Sequence, residues 1–253
     1  MAVAVLPLVT FAQRKISSPA AIWPEVQLNY SVGEEGMLFF QNQYRINTDG
    51  RFNDLAEQGP FSGFERVQLV LGYEHTLTEH WRGGGLVRYA YEDFPKQQFY
   101  TLFVRHNGNI KSLYFNKQIM FEYWTKQLQE ASGRFRIMAE LGRRTEVGEK
   151  FLTPALSYEA IFLKEFEEQP VPNDARTIAR TRLRLGATLE LTEQLRLTPY
   201  FIRQTDYYNV LAKYDENNVL VEEAHKVNRI SPIIGLELKY NFNGPANTAS
   251  ITY

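Results

Sequence analysis

The stretch RVQLVLGYEHTL, residues 66–77, decides the fold class. Within it, the apolar residues Leu69 and Leu71 alternate with the polar residues Gln68 and Glu74. Successive side chains of a β-strand point to opposite faces, so this alternation predicts a strand with one apolar and one polar face.

The same period of two returns along most of the chain. It is clear over residues 183–191 and 230–242. Weaker versions cover 23–32, 38–46, 86–92, 98–105, 113–123, 135–141, 152–163 and 195–207. Several of these segments reach the roughly 9 to 11 residues that a tilted strand needs to cross a bilayer. Almost nothing in the sequence has the period of a helix.

The connections between these segments also favour a membrane barrel. Short ones are expected at 33–36, 78–80, 106–109, 145–149 and 192–194, and longer polar ones at 47–63, 92–96, 125–133, 165–175 and 206–226. Short and long connections mostly alternate, as in outer-membrane barrels with tight periplasmic turns and longer external loops. The sequence therefore predicts an all-β, transmembrane, up-and-down antiparallel β-barrel of about 12 strands, within a range of about 10 to 14.

The strand count carries a parity problem. The periodic segments number about 11, whereas single-chain bacterial barrels use an even number of strands. Either residues 14–21 supply the twelfth as a short strand, or one of the assigned segments is wrong.

Composition excludes several classes of protein. Lys and Arg total 28 against 29 Asp and Glu, so no basic surface for nucleic acid is expected. Cysteine is absent, which removes disulfides and thiolate metal sites. The mean hydropathy of -0.37 excludes a bundle of apolar membrane helices and leaves a barrel open, because its two faces cancel in the average.

The chain divides into three parts. An apolar run from Ala2 to Phe11 ends at Ala12, a small residue typical of a cleavage site, so residues 1–12 are predicted to be the end of a signal peptide. Residues 13–242 form the barrel, and residues 243–253 a periplasmic tail.

Aromatic residues cluster near the ends of the predicted strands. Rings with a polar edge favour the headgroup level, so these residues are predicted to form two girdles. Ordinary enrichment of aromatics in sheets is the alternative explanation. The predicted girdle residues are Tyr73, Trp81, Tyr89, Tyr91, Tyr123, Trp124, Tyr207 and Tyr208.

The last strand resembles the C-terminal signal that the barrel-assembly machinery reads in outer-membrane proteins, through Leu236, Leu238, Tyr240 and Phe242. The stretches IWPEVQLNYSV (22–32), FFQNQYRIN (39–47) and RVQLVLGYEHTLTEHWRGGGLVRYAYE (66–92) are similar to an uncharacterised outer-membrane barrel family common in Bacteroidota. The FAQ junction at 11–13 resembles signal peptides of those bacteria. The resemblance implies a Gram-negative outer-membrane location and no assigned activity.

Charged residues on the polar faces are the candidate lumen residues. Arginine on the lipid face near the midplane costs about 2 to 4 kcal/mol, so charges are expected to point inward. They are Arg45, Glu74, Arg88, Glu122, Glu140, Glu159, Arg180, Arg182, Arg184, Glu190 and Glu237. One interpretation is a plug of Arg/Glu pairs; the other is an arginine ladder, 180–182–184, that guides anions through a narrow channel.

Signs of catalysis are weak. The four histidines lie at turns or in a loop, and none adjoins an obvious serine on its own strand. We therefore predict no enzyme, no cofactor and no metal site, and a structural or accessory envelope protein or porin-like narrow channel. An outer-membrane lipid-modifying enzyme and a soluble periplasmic all-β binding module are the alternatives. Expected partners are outer-membrane lipid and lipopolysaccharide, the barrel-assembly machinery during insertion, and further subunits of an outer-membrane complex.

Overall fold

A computed structural model describes residues 14–52, 63–92, 96–165 and 176–242. The predicted signal peptide, 1–12, and the predicted tail, 243–253, lie outside the described residues. No helix in the described ranges is long and apolar enough to cross a membrane.

The described chain is almost entirely β-strand, with one short 3-10 helix at Gly50–Phe52. The strands are β1 (Arg14–Ser17), β2 (Ala21–Val32), β3 (Gly36–Asn47), β4 (Arg66–Thr76), β5 (Trp81–Tyr91), β6 (Gln97–Ile110), β7 (Leu113–Lys126), β8 (Gln129–Gly142), β9 (Thr145–Val147), β10 (Lys150–Glu165), β11 (Arg180–Glu190), β12 (Leu195–Val210), β13 (Lys213–Tyr214), β14 (Leu220–Glu222) and β15 (His225–Asn241).

The alternation in the sequence becomes the two faces of a closed wall. In β4, Leu69 and Leu71 are 42% and 61% exposed on the outer face, whereas Gln68 and Glu74 are 4% and 2% exposed on the inner face. Water-soluble proteins bury leucine and expose charge. The opposite arrangement here is that of a barrel whose outer face meets hydrocarbon and whose lumen is polar.

Eleven strands close the barrel: β2 to β8, β10, β11, β12 and β15. Chain neighbours pair antiparallel, and β15 pairs with β2 in parallel to complete the circle. The predicted all-β, up-and-down membrane-type barrel is confirmed. The predicted twelfth strand is wrong, because β1 does not cross the wall on its own but runs parallel to β15, as β2 does.

The connections sort to two ends of the barrel. The short-turn end carries the links 33–35, 77–80, 111–112, 143–149 and 191–194; the long-loop end carries 48–65, 92–96, 127–128, 166–179 and 211–224. Two expectations about connections are wrong. Residues 106–109 lie within β6, and 125–133 contains only a tight turn, because β7 and β8 extend beyond their apolar segments.

Two prolines within strands lie beside gaps in the pairing with one neighbouring strand. The pairing between β11 and β12 is interrupted between Gly186 and Leu189, opposite Pro199, and resumes in the same register. The pairing between β2 and β3 is interrupted between Ile22 and Glu25, around Pro24, and also resumes in the same register. Proline has no N–H to donate, so each gap marks a missing ladder bond in a wall that has no free edge.

The interior also holds two apolar clusters. Phe39, Val70, Leu86, Phe103 and Met120 pack together on the wall from β3 to β7. Ala21, Trp23, Tyr200, Ile202 and Ile233 pack together on the wall that includes β2, β12 and β15. Charged side chains fill the space between and around these clusters.

Candidate functional site

The candidate site is the barrel lumen, where the structure gathers the charged residues. All eleven of the predicted lumen residues have inward-pointing side chains: Arg45, Glu74, Arg88, Glu122, Glu140, Glu159, Arg180, Arg182, Arg184, Glu190 and Glu237. Their strands place them there because residues two apart along a strand share a face.

Glu122 on β7 is the centre of the largest ion-pair network. Its carboxylate oxygens lie 2.6 Å from a guanidinium nitrogen of Arg88, 2.6 Å from one of Arg134 and 3.2 Å from one of Arg136. Arg136 also pairs with Glu159. The network therefore links β5, β7, β8 and β10 through side chains that are nearly or fully buried. Buried charges persist only when they are paired and hydrogen-bonded, as these are.

Each arginine of the 180–182–184 ladder pairs with an acid that it shares with a second cation: Arg229 at Asp206, Arg136 at Glu159 and Lys239 at Glu237. Arg180 pairs with Asp206, Arg182 Nη1 lies 3.2 Å from Glu159 Oε2, and Arg184 Nη2 lies 3.0 Å from Glu237 Oε2. Every arginine of the ladder thus has an acidic partner on another strand.

Two carboxylates meet at the seam between β2 and β15. Glu25 and Glu237 are register partners and both point inward. Gln43 Nε2 donates to Glu25 at 2.6 Å, and Lys239 Nζ lies 3.1 Å from Glu237. Together with Arg184, these groups give both carboxylates hydrogen-bond or ion-pair partners inside the lumen.

The sequence analysis did not name eight residues that surround these side chains: Arg82 and Arg105 at Glu74, Arg134 and Arg136 at Glu122, Arg196 at Glu190, Asp206 at Arg180, Lys239 at Glu237, and Glu25 across the seam. Arg134 and Arg136 do alternate with apolar Phe135 and Ile137, which was a usable signal of an inward face. Their acids lie on other strands, so the pairings depend on register, which the sequence does not display.

The lumen is closely filled at mid-height. A cavity of about 20 Å³ there is lined by Gln41 and Gln43 of β3 and by Met138 of β8 on the opposite wall. Trp23 also lines it, with Arg45 4.1 Å from the ring centroid and Arg182 5.7 Å from it. Such a cavity holds about one water molecule. A second cavity, of about 40 Å³, lies towards the short-turn end beside Glu140 and Arg184.

The predicted aromatic residues divide between the two faces. Tyr73, Trp81, Tyr89, Tyr91, Tyr123 and Tyr207 lie on the outer face. Trp124 and Tyr208 do not. Trp124 stacks on lumen-facing Phe99 at 5.6 Å, and Tyr208 shares the inner face of β12 with Asp206. Adjacent residues of a strand point to opposite sides, so Tyr123–Trp124 and Tyr207–Tyr208 each contribute only one girdle residue.

The residues of the predicted assembly signal lie on the outer face of β15. Leu236, Leu238 and Phe242 are exposed, and Tyr240 donates a hydrogen bond from its hydroxyl to Gln194 Oε1 at 3.0 Å. Their recognition by the assembly machinery stays a prediction.

Comparisons with known proteins were made by sequence and by structure. No family model and no curated protein matches the sequence. Among solved structures, LpxR from Salmonella typhimurium matches with a TM-score of 0.47 and 10% identity, over 85% of this chain and 87% of that one. At this level the likeness carries no residue role over to this chain, since one fold hosts many functions.

The prediction that the chain is not an enzyme is contradicted by the comparison and is withdrawn.

The four histidines lie outside the lumen network. His75 Nε2 is 3.5 Å from Glu35, and the rings of His80 and His106 are 6.0 Å apart at the short-turn end. His225 lies beside Glu222 at the long-loop end. Within the described ranges, no group of three or more His, Asp or Glu is placed to hold a metal ion.

Proposed function

We propose that the protein is an integral outer-membrane barrel with a sealed lumen, serving as a structural or accessory component of the envelope rather than as a channel. Its short-turn end faces the periplasm and its long-loop end faces outward, following the usual sorting of turns in such barrels.

One observation carries this proposal. The cavity at mid-height holds about 20 Å³ and is bounded by side chains of β3 and of β8, which stand on opposite walls. A hydrated ion needs a continuous path several water molecules wide. The side chains of Trp23, Glu159 and Arg182 occupy that path, and their pairing and ring contacts hold them in place.

The charge arrangement favours a plug over an anion channel. Charged rings select ions when they face an open pore. Arg180, Arg182 and Arg184 instead face Asp206, Glu159 and Glu237, so every arginine of the ladder is engaged by a carboxylate rather than by an open pore.

The surroundings of the barrel follow from its outer face. Its exposed leucines and aromatics contact outer-membrane lipid, including lipopolysaccharide in the outer leaflet. We also propose membership of the uncharacterised Bacteroidota barrel family, insertion by the barrel-assembly machinery and, as a further hypothesis, assembly into a larger outer-membrane complex.

Planar-bilayer recording tests the sealed lumen. We expect the purified protein to give no discrete conductance steps. The double variant Glu159→Ala/Arg182→Ala removes both charges of one pair and enlarges the central cavity, while Arg136 keeps Glu122. We expect it to conduct, provided that it still shows heat-modifiable gel migration.

The matched control is Leu185→Ala, which removes a large side chain from the outer face of β11, and it should stay silent. Steady conductance of the unmodified protein, with an anion preference lost in Arg182→Glu, would contradict the proposal.

A further inference from the structure

Arg203 on β12 is an arginine on the outer face of the barrel. It is exposed, and its neighbours Ile202 and Gln204 are buried on the inner face, so its own side chain points outward. Its register partners are Leu183 on β11 and Pro232 on β15, which carry no charge. Arginine on the lipid face of a barrel is unfavourable unless its guanidinium reaches a polar or charged group. Arg203 therefore needs such a group close to the outer wall.

The outer face around Arg203 changes from apolar to polar along the strands. The row next to it on the side of the short-turn end is apolar and exposed, and consists of the register partners Leu185, Phe201 and Ile234. On the side of the long-loop end, the hydroxyl oxygens of Thr181 and Tyr207 lie 3.1 Å apart in a hydrogen bond. Tyrosine rings favour the headgroup level of a bilayer. Arg203 thus lies where the hydrocarbon-facing surface gives way to the headgroup-facing surface.

A second guanidinium lies on the same side of the wall, nearer the long-loop end. Arg176 Nη1 donates to Asn228 Oδ1 at 2.6 Å, and Arg176 Cζ lies 4.9 Å from the centroid of the Tyr207 ring. Asn228 and Tyr207 are register partners on β15 and β12, and Tyr207 is on the outer face. An amide and an aromatic ring orient the guanidinium of Arg176 without neutralising its charge.

The carboxylates of the neighbouring strands do not compensate these two arginines. Every Asp and Glu of β11, β12 and β15 points into the lumen, namely Glu190, Asp206 and Glu237. Glu222, in the loop after β12, lies 3.1 Å from Lys213. Within the described ranges, neither Arg203 nor Arg176 has a carboxylate partner. Glu167, Glu168 and Asp174 belong to the loop 166–175, which lies outside the described residues.

We propose that Arg203 and Arg176 bind the headgroup phosphates of a lipopolysaccharide molecule in the outer leaflet. Its acyl chains lie against the apolar row of Leu185, Phe201 and Ile234. Guanidiniums form strong and often bidentate hydrogen bonds with phosphate, and these bonds are stronger at the edge of the hydrocarbon than in water. The inference rests on the orientation given under the proposed function, in which the long-loop end faces outward.

The separation of the two arginines favours this glycolipid over a phospholipid. Arg176 lies over Tyr207, which is four residues, or about 13 Å along the strand, from Arg203. Two guanidiniums at different levels suit a headgroup with more than one phosphate. A phospholipid with a single phosphodiester can engage only one of them closely.

Native mass spectrometry of the detergent-purified full chain tests this site, with purified deep-rough lipopolysaccharide as the probe. We expect saturable binding, and binding at least about tenfold weaker for the same lipopolysaccharide after removal of its phosphates and for phosphatidylglycerol. Arg203→Met keeps a long side chain and removes the charge, and it should weaken binding of lipopolysaccharide at least about tenfold. Arg176→Met should also weaken it. Both variants should keep heat-modifiable gel migration, because neither removes a described ion pair.

The matched control is Lys117→Met. Lys117 is an exposed, outward-facing cation of β7 near the short-turn end, with His106 and Ala139 as register partners. Its removal should leave binding of lipopolysaccharide unchanged. The proposal would be overturned by absence of saturable binding, by equal binding of the dephosphorylated lipid or of phosphatidylglycerol, or by equal losses in Lys117→Met and Arg203→Met.

The orientation is tested separately from the site. The chain has no cysteine, so Asn217→Cys in the loop 211–224 can be labelled specifically by a membrane-impermeant maleimide. Labelling on intact cells supports the orientation, and labelling only after lysis would overturn it together with the lipopolysaccharide site. Conductance is a third measurement, so failure of the lipid site and failure of the sealed lumen are distinguishable.

Discussion

The two edges of β15 close the barrel in different ways. Towards β12, the strand pairs antiparallel over all sixteen residues of β12, from Leu195 to Val210. Towards β2, it pairs in parallel over only nine, from Ala21 to Asn29, before β1 adds four more pairs after a slip in register. Parallel ladders are slightly less stable per residue than antiparallel ones.

The difference shows which part of an odd-stranded barrel is least stable, namely the pair of strands that closes it. With eleven strands, the first and last must run in the same direction, so the closing pair has no hairpin and no antiparallel ladder. Side chains reinforce this seam from the lumen. Asn29 Nδ2 donates to Asn241 Oδ1 at 2.8 Å, and Tyr200 on β12 donates across β15 to the backbone carbonyl of Trp23 at 3.3 Å.

Removing the charge of Glu237, which pairs with two cations beside the seam, should have the largest effect on the free energy of unfolding. Glu237→Gln leaves Arg184 and Lys239 without their carboxylate, and breaking a buried ion pair from one side costs about 3 to 5 kcal/mol. Urea unfolding in lipid vesicles measures the loss.

Glu25→Gln is the matched control, because Glu25 is the register partner of Glu237 across the seam. It removes a like charge from beside Glu237, so its cost should stay below about 1 kcal/mol. Equal losses in the two variants would mean that Arg184 depends on both acids alike.

Overpacking at Gly235 should have the next largest effect. Gly235 lies between Tyr200 of β12 and Trp23 of β2, and a Cβ there would overlap the ring of Tyr200. We expect Gly235→Ala to cost about 1 to 3 kcal/mol. Gly186→Ala, whose Cβ would lie 3.4 Å from Tyr200 Cβ, should be tolerated in the same assay. A tolerated Gly235→Ala would show that the Tyr200 ring moves freely.

Hydrogen exchange should reveal the smallest difference, within β15 itself. The amide of Asn241 donates towards β12, to Gln194, whereas that of Phe242 donates towards β2, to Asn29. Amides alternate along a strand, so over residues 234–242 the even-numbered ones face the parallel seam. We expect them to exchange roughly fivefold faster, which corresponds to about 1 kcal/mol. Uniform rates would indicate that the two edges open together.

The sequence predicted the faces of the strands well and the closure poorly. The alternation of Leu69 and Leu71 with Gln68 and Glu74 indicates which side chains face the polar lumen. It does so because the wall of a membrane barrel has only two environments, hydrocarbon outside and a polar lumen inside. The same rule, applied strictly, would have placed Trp124 and Tyr208 inside. The sequence also showed about eleven periodic segments, the number of strands in the barrel. The prediction of about 12 strands came from the rule that single-chain bacterial barrels have an even number.

Pairings within the lumen were beyond the sequence for a physical reason. Arg184 and Glu237 lie 53 residues apart, and their contact depends on the register of three strands. A shift of the register by two residues would leave the same side chains facing the lumen, but each charged side chain would then lie opposite a different partner. The alternation therefore determines the wall, while the ion pairs depend on shear and tilt, which emerge only when the barrel closes.

Parallel closure also bears on protein engineering. Arg14 lies at the long-loop end and Phe242 at the short-turn end, separated along the seam by more than about 26 Å, the length of an eight-residue rise from Ala21 to Asn29. A circular permutant would need a linker that crosses either the bilayer or a lumen already occupied by side chains. Reporter groups fused before Arg14 and after Phe242 would stand in different compartments.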